Sequence, residues 1–468
     1  MKTGNLMTSL CVHGHFYQPP REDPISGVIP DEAGSLPFRN WNEKIDAECY
    51  SPNAEAGNFE RISFNIGPTL FNWLELNDPD TYHLILSQEH NVFTKWGVSN
   101  AIAQSYNHSI LPLASYRDKK NQIKWGIADY TYRFGHAPEG IWLPETAVDL
   151  ETLQICSDEG IKFTILAPWQ KEESLTNNDA LYQVKLPGKR DPFIVFLYDQ
   201  PLSTAVSFNP IETMNGDLFL EKILNESSEG FRMIASDGEL YGHHQQFRDK
   251  FLTYITTEGA ENHNLALTFP ALWLQSHQPE ATAKIQSNSS WSCFHGVERW
   301  RKECGCTPGA HWKMPLRVAL DSIGQDIDQI YENWGNEYVE DVWQLRNDFI
   351  HFVLREISKD ELYKQHLRRK MNSSQERTLD LLLMAQFDRQ KMFNSCGWFF
   401  EEFHRIEPQN NIAFCAKSVW LTEKASGIDL YQKSIDLLKN VRSEKTGLRG
   451  DTVFSQTWIR LDDQISIE

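Results

Sequence analysis

Cysteine is scarce in this sequence, with 8 residues in a chain of 468. Cysteines this sparse do not form the dense framework of a small disulfide-stabilised secreted protein. The first twenty residues, MKTGNLMTSLCVHGHFYQPP, contain no long apolar run, so they lack the pattern of a secretory signal. No stretch approaches the length that a membrane span requires. We therefore expect a cytoplasmic protein with reduced cysteines that does not cross a membrane.

Basic residues are also in deficit, because 45 Lys and Arg stand against 64 Asp and Glu and give a formal net charge of -19. Such a charge repels a phosphate backbone and argues against nucleic acid as a partner. Aromatic residues are plentiful, with 15 Trp, 15 Tyr and 26 Phe. Because sugar C–H faces stack on aromatic rings and carboxylates accept hydrogen bonds from hydroxyls, the composition is compatible with a neutral, hydroxyl-rich ligand.

Glycine-rich phosphate-binding signatures are absent, although short apolar runs alternate with helix-like stretches over the first 300 residues. The alternation predicts an α/β fold with parallel strands connected by helices. Several runs end in residues capable of chemistry, which favours a closed or nearly closed barrel over a doubly wound open sheet, the alternative topology. These runs are residues 9–15, 140–145, 231–239 and 265–277.

The second part of the chain has a different pattern, since from about Leu316 apolar residues recur three and four positions apart, as in amphipathic helices. The segment before it, residues 304–315, holds two Gly and two Pro, which interrupt regular structure. A chain of this length exceeds the size at which one hydrophobic core usually stops growing. We therefore expect a barrel domain at 1–315 and an α-helical domain at 316–468.

His13 and His15 are two positions apart in an apolar run, which places both imidazoles on the same face of a strand. Gly14 between them permits close backbone approach. The two rings are therefore candidates for a common pocket. The alternatives are one surface histidine and one buried histidine with a hydrogen-bonding partner, or a metal pair completed by a carboxylate or a third histidine.

Two segments place acids at predicted strand ends. Glu145 follows the run IWLP, and a carboxylate at this position suits the mouth of a barrel. The alternative interpretation is an acid in the first turn of a helix. Asp237 and Glu239 follow the run FRMIA and precede His243 and His244, and this density of titratable groups indicates a functional site. The alternative interpretation is an Asp-Gly turn that closes a hairpin. A pair of carboxyl groups about 5–5.5 Å apart is what retaining glycoside chemistry needs.

The segments HGHFYQPP, NAIAQSYNHSILPL, GIWLPET, SDGELYGHH and NSSWSCFHGVERW, in this order, resemble glycoside hydrolase family 57. The resemblance covers at least residues 10–300. It implies an incomplete, TIM-like (β/α)7 barrel followed by helices, and a retaining α-glycosidase or glucanotransferase that acts on α-glucan without a cofactor or a catalytic metal. The chain is most similar to a subgroup in which a helical domain of unknown function follows the barrel.

The resemblance also implies residue roles. The Glu of the Trp-Leu-Pro-Glu segment, Glu145, matches the family nucleophile, and the Asp of the Asp-Gly-Glu segment, Asp237, matches the acid/base. We expect a further set of residues to bind the substrate, of which the first four match family residues that line the glucose site: His13, His15, His108, Trp142, Glu239 and Trp273. One departure is Phe16-Tyr17, which separates His15 from Gln18-Pro19 where many amylolytic members have His directly before Gln-Pro.

Three alternatives remain open in the sequence. Five potential ligands lie within nineteen positions, but their spacing fits the paired knuckles of a zinc site only loosely, so we expect no metal there; they are Cys293, His295, Cys304, Cys306 and His311. A metal-dependent polysaccharide deacetylase would need a metal held by Asp and His. A non-catalytic glycan-binding protein could keep the barrel, although unused carboxylates in a pocket carry a desolvation cost.

Overall fold

The structure is a computed structural model that describes residues 8–172, 180–225 and 230–465, with side chains to residue 463. Residues 1–7, which begin the N-terminal segment without a signal pattern, lie outside the described residues. Among those that are described, no helix is both long and apolar enough to cross a bilayer.

Strands and helices are interspersed up to residue 274, and the described part of the chain after it has helices as its named elements. The strands are β1 Ser9–Phe16, β2 Ser63–Ile66, β3 Ala103–Gln104, β4 Gly140–Trp142, β5 Phe163–Leu166, β6 Leu181–Val184, β7 Phe193–Leu197, β8 Phe231–Asp237 and β9 Ala266–Leu267. The helices between them are α1 Trp41–Ile45, α2 Ser51–Glu55, α3 Pro68–Asn77, α4 Pro79–Trp96, α5 Tyr116–Phe134, α6 Leu150–Asp158, α7 Gln200–Phe208, α8 Gly216–Asn225, α9 Arg248–Ile255, α10 Glu258–Asn262 and α11 Pro270–Leu274. The later helices are α12 Lys313–Gly335, α13 Val342–Val353, α14 Lys359–His366, α15 Ser373–Lys391, α16 Cys396–Phe399, α17 Ile406–Ser426, α18 Tyr431–Leu438 and α19 Gly450–Ile465.

The strands form two sheets, one with the order β2-β1-β8 and β9 beside β1, the other with the order β3-β4-β5-β7-β6. All pairings are parallel except that of β6 with β7. A single parallel bridge between Phe64 and Ala101 connects β2 to the residues before β3, and Asp199 N–H donates to Met233 O at 2.7 Å between β7 and β8. The predicted architecture, an incomplete (β/α)7 barrel followed by helices, is confirmed.

Three predicted strands correspond to β1, β4 and β8, but the prediction for 265–277 was wrong in its second part. There the strand β9 has two residues and the helix α11 begins at Pro270. Proline cannot donate to a strand ladder and is well suited to the first turn of a helix, so the apolar run that follows it is helical.

The chain folds into two compact units. Unit 1 comprises Met1–Gln18, Asp31–Ser105 and Arg133–Trp291, and unit 2 comprises Pro19–Pro30, Tyr106–Tyr132 and Ser292–Glu468. The division at residue 315 stays a prediction, and the units cross it because two early segments belong to unit 2 and its last segment begins at Ser292.

Unit 2 has a buried charge cluster in which Arg346 Nη1 donates to Asp118 Oδ1 at 3.0 Å and Arg389 Nη1 lies 3.1 Å from the same oxygen. Although burial alone would raise the pKa of Asp118, the two guanidinium groups hold it well below its usual value. The indole N–H of Trp125 donates to Asn347 O at 2.9 Å. The segment 106–132 is therefore bound to the later helices by buried polar contacts.

Candidate active site

A row of polar residues crosses three adjacent strands of unit 1. Asn65 on β2, His15 on β1 and Asp237 at the end of β8 are register partners. Partners in neighbouring parallel strands direct their side chains to the same face of the sheet. The fold therefore gathers these three side chains on one face, near the carboxyl end of the strands.

Asn65 connects the two histidines of β1. Its Nδ2 donates to His15 Nδ1 at 2.9 Å, and its Oδ1 lies 3.2 Å from His13 Nε2. The Nδ1 atom of His13 bonds to Ser63 Oγ at 2.9 Å. Both rings thus face the same side, as the spacing predicted. The network assigns the ring proton of each neutral imidazole to Nε2.

The two imidazoles are neutral rings stacked on an indole. Trp142, the last residue of β4, lies with its ring centroid 5.0 Å from that of His13 and 4.9 Å from that of His15. Burial lowers the pKa of both histidines to about 3, and repulsion by a charge on His15 is part of the lowering at His13. Trp142 and His13 are fully buried, so neither ring presents an exposed face, and their role in substrate binding stays a prediction.

Glu145 lies in a tight turn three residues beyond β4, before α6 begins at Leu150, so it is not the first-turn acid of an α-helix. Its backbone is left-handed, with φ 58° and ψ 21°, a conformation that a non-glycine residue adopts at an energetic cost and that is concentrated at functional sites. Trp291 holds it at two points: its indole N–H donates to Glu145 Oε2 at 2.9 Å and its backbone N–H donates to Glu145 O at 3.1 Å.

Asp237 ends strand β8, which runs parallel to β1, so the Asp-Gly pair does not close a hairpin. Asp237 is exposed to solvent, although protein groups surround its carboxyl. The surrounding protein disfavours the charged form, and the carboxylates of Glu239 and Glu145 repel it, so the pKa of Asp237 is raised to about 8. The interaction with Glu145 brings the two predicted catalytic acids into one electrostatic site.

Glu239 is buried behind Asp237. Its Oε1 accepts hydrogen bonds from Tyr50 Oη at 2.7 Å and from the backbone N–H of Tyr17 at 3.0 Å. Burial raises its pKa to about 7, although these two donors oppose the rise. Its oxygen is therefore engaged by protein donors, and it acts on Asp237 through its charge.

The Phe16-Tyr17 pair, which departs from the family pattern, packs on the segment that follows Asp237. A Cβ on Gly238 would lie 2.3 Å from Phe16 Cδ1, and a Cβ on Gly14 would lie 2.6 Å from Phe16 Cε2. The ring of Phe16 thus occupies the space that side chains at both glycines would need. Together with the Tyr17 bond to Glu239, this contact couples the N-terminal segment to the Asp-Gly-Glu segment.

One predicted site residue, Trp273, lies apart from the two acids. Trp273, on α11, packs against Phe231 at 5.2 Å between ring centroids. Phe231 begins β8 and Asp237 ends it, so the ring lies about 20 Å along the strand from the acid, at about 3.3 Å per residue. His108 belongs to unit 2, where its Nδ1 bonds to Ser395 Oγ at 2.6 Å, and its role in binding stays a prediction.

Sequence reasoning missed three residues of the site: Asn65, Tyr50 and Trp291. The first two lie in segments with no recognisable motif, and only the fold brings them to the histidines and to Glu239. Trp291 lies inside the segment NSSWSCFHGVERW that supported the family resemblance, so a signal was present for it.

Part of the chain is similar to a curated amylase. The chain is 25% identical over 189 residues to Alpha-amylase 1 of Dictyoglomus thermophilum, an alignment that covers 39% of the chain and 26% of the relative. The chain thus spans about a quarter of the length of this curated relative.

Solved structures share the fold at low identity. An exo-type maltose-forming amylase from Pyrococcus sp. ST04 superimposes with a TM-score of 0.74 at 16% identity, over 96% of this chain and 88% of the other. A branching enzyme from Pyrococcus horikoshii gives 0.62 at 13% identity, over 95% and 96%. A 4-alpha-glucanotransferase from Thermococcus litoralis gives 0.57 at 14% identity, over 89% and 60%.

Family models match most of the chain. Residues 310–461 match a domain of unknown function, DUF3536. Residues 35–286, more than half of the chain, match the model of glycosyl hydrolase family 57. The chain therefore belongs to glycosyl hydrolase family 57.

Proposed function

We propose that this protein cleaves or transfers α-linked glucan by a retaining mechanism, with Glu145 as nucleophile and Asp237 as acid/base. The observation that carries the proposal is the electrostatic coupling of these two acids at the ends of β4 and β8, which helps to raise the pKa of Asp237 to about 8. A carboxyl group with this pKa is largely protonated at neutral pH and can donate a proton.

In the first step Glu145 attacks the anomeric carbon while Asp237 protonates the departing glycosidic oxygen. The indole N–H of Trp291 orients the attacking carboxylate by its bond to Oε2. Once Asp237 has lost its proton, it deprotonates the acceptor, and the acceptor oxygen displaces the sugar from Glu145. Water as acceptor gives hydrolysis, and a sugar hydroxyl gives transfer.

The substrate class is an α-glucan or its oligosaccharides. The relatives named above are amylases, a glucanotransferase and a branching enzyme, and this supports the class. Trp291 is partly exposed beside Glu145, so its ring offers a face on which a sugar can stack. We also propose a cytosolic location, which eight cysteines without a disulfide support.

A metal-dependent deacetylase is less well supported by this geometry. The nitrogens of His13 bond to Ser63 and Asn65, and Asn65 also donates to His15 Nδ1. A histidine pair that holds a catalytic metal would instead direct ring nitrogens and a carboxylate at one point. Release of acetate from an acetylated glycan, lost in chelator and restored by a divalent metal, would favour the deacetylase.

The experiment is product analysis by chromatography after incubation of the full chain with maltooligosaccharides. We expect shorter or redistributed oligosaccharides, and losses of about 10²–10⁴-fold or more in Glu145→Gln and Asp237→Asn. Glu139→Gln is the matched control, because Glu139 is a surface acid just before β4 that pairs with Lys162. Unchanged α-glucans would contradict the substrate class, and wild-type rates in both acid variants would contradict the mechanism.

A further inference from the structure

Four metal-ligand side chains converge in unit 2, whereas Glu145 and Asp237 belong to unit 1. The ligand atoms of Cys293, His295, Cys304 and Cys306 all lie within 4.8 Å of one another. These residues fall between the stretch that matches the glycosyl hydrolase family and the stretch that matches DUF3536.

The separations match a tetrahedral zinc site. Bonds of about 2.3 Å to sulfur and 2.0–2.1 Å to nitrogen place two sulfurs about 3.8 Å apart, and a sulfur and a nitrogen about 3.5 Å apart. The Sγ atoms of Cys293 and Cys304 are 3.9 Å apart, and Cys306 Sγ lies 3.5 Å from His295 Nδ1. We propose that the four side chains hold one structural zinc ion in a closed site of three cysteines and one histidine.

The fifth ligand that the sequence suggested does not join the group, because His311 Nδ1 pairs with Glu303 Oε2 at 2.5 Å. A tetrahedral structural zinc needs four protein ligands. The 3.9 Å between Cys293 Sγ and Cys304 Sγ is far from the 2.05 Å bond of a disulfide. A disulfide between them would also give no reason for His295 and Cys306 to lie beside the two sulfurs. The four remaining residues thus form a complete ligand set.

Backbone amides surround two of the sulfurs. The amides of His295 and Arg299 favour negative charge on Cys293 Sγ, and those of Cys306 and Thr307 favour it on Cys304 Sγ, while burial opposes it at both. Such donors stabilise negative charge on a metal-bound sulfur. Gly305 belongs to the same arrangement, since a Cβ there would lie 3.0 Å from the Cε1 atom of His295.

A buried lysine balances the charge of the proposed site. Three thiolates and Zn²⁺ have a net charge of −1. Lys313 is fully buried, and its Nζ donates to Thr307 Oγ1 and to Arg299 O, both at 3.1 Å. Thr307 Oγ1 in turn lies 3.9 Å from Cys304 Sγ. Burial lowers the pKa of Lys313 to about 7, and a zinc–thiolate centre with a net negative charge would favour its charged form.

The test is the zinc content of the full chain, expressed with added zinc and freed of loosely bound metal by brief EDTA treatment and desalting. We expect one zinc per chain in the wild type and in Cys396→Ser, a matched control because Cys396 is also partly exposed and lies outside the group. The double variant Cys304→Ser/Cys306→Ser should lose the zinc. His295→Cys should keep it, and its cobalt(II) form should gain thiolate-to-cobalt charge-transfer intensity over the wild type.

A second measurement covers the case in which the serine variant fails to fold. In the wild type, titration of thiols with a mercurial reagent should release one zinc to a chromogenic chelator as the ligand cysteines react. Substoichiometric zinc in the wild type would overturn the proposal, as would full zinc in the double serine variant. A Cys293–Cys304 disulfide found by mass spectrometry of the wild type would also overturn it.

Discussion

At the scale of single residues, we predict that the raised pKa of Asp237 sets the basic limit of activity. A group whose pKa is raised to about 8 carries its proton below that pH and loses it above, so glycosylation should fail as pH rises through this value. The charge on Glu239 contributes to the rise. We therefore predict that Glu239→Gln moves the basic limb of the kcat/KM profile to lower pH, as measured with an α-glucoside that has a poor leaving group.

With an activated leaving group, proton donation matters less, and the shift of the basic limb should shrink. Glu43→Gln provides a control, because Glu43 is an acid bonded to Arg39 outside this cluster. An unmoved basic limb in Glu239→Gln would show that Glu239 does not act on Asp237.

Trp291 gives a second prediction at this scale. Trp291→Phe keeps a ring beside Glu145 but removes the indole N–H that donates to its carboxylate. A hydrogen bond to a charged group contributes about 1.5–3 kcal/mol, so kcat/KM should fall by about 10- to 100-fold. Trp169→Phe is the matched control, since its indole N–H donates to the backbone oxygen of Ser290 instead. Equal losses in the two variants would contradict the positioning role of Trp291.

The sequence was sufficient to place Glu145 and Asp237 near strand ends, because both follow apolar runs typical of buried strands, whereas their catalytic roles rest on the family resemblance and stay a prediction. It could not predict the left-handed backbone of Glu145 or its bond to Trp291, a residue 146 positions away. Contacts of that range depend on which strands lie side by side, and local periodicity carries no such information.

At the scale of elements, apolar runs and periodicity identified β1, β4, β8 and the later helices, because burial on one or both faces leaves a regular apolar pattern. The prediction failed at residues 265–277, because an apolar run there is compatible with either a strand or a buried helix. Pro270 favours the helix, since proline cannot donate to a strand ladder.

The contact between β1 and the end of β8 provides a prediction about packing. Gly238→Ala places a Cβ within 2.3 Å of the Phe16 ring, so it should destabilise the protein by about 1–3 kcal/mol and displace the neighbouring Asp237. Phe16→Leu makes room, and the double variant should recover part of both melting temperature and kcat/KM relative to Gly238→Ala. Losses that simply add in the double variant would show that the ring and the glycine are not coupled.

At the scale of the whole molecule, the two units are discontinuous, and this could not be predicted from a change in sequence pattern near residue 315. The segment 106–132 belongs to unit 2, where Asp118 pairs with Arg346 and Arg389, and Trp125 donates to Asn347. A boundary read from composition assumes that a domain is continuous, whereas these contacts join residues more than 200 positions apart.

Truncation tests this organisation. The fragment 1–315 keeps Asp118 and Trp125 but loses the two arginines and the helices against which they are buried. An unpaired buried carboxylate and an exposed apolar face are both strongly unfavourable, so the fragment should precipitate or melt well below the full chain. The measurements are soluble yield and circular dichroism on heating. A soluble fragment with wild-type activity would contradict the prediction.

The central claim is that Glu145 and Asp237 act as nucleophile and acid/base of a double displacement, and azide rescue tests it most directly. In Glu145→Ala, azide should attack an activated α-glucoside from the side opposite the leaving group and give the β-azide by one inversion. In Asp237→Ala, the sugar should first transfer to Glu145, and azide should then release it as the α-azide by a second inversion. These two products, distinguished by NMR, are the predicted result. Azides of the reverse configurations would show that the roles are exchanged, and wild-type rates on unactivated glucan in either variant would show that its acid is not catalytic.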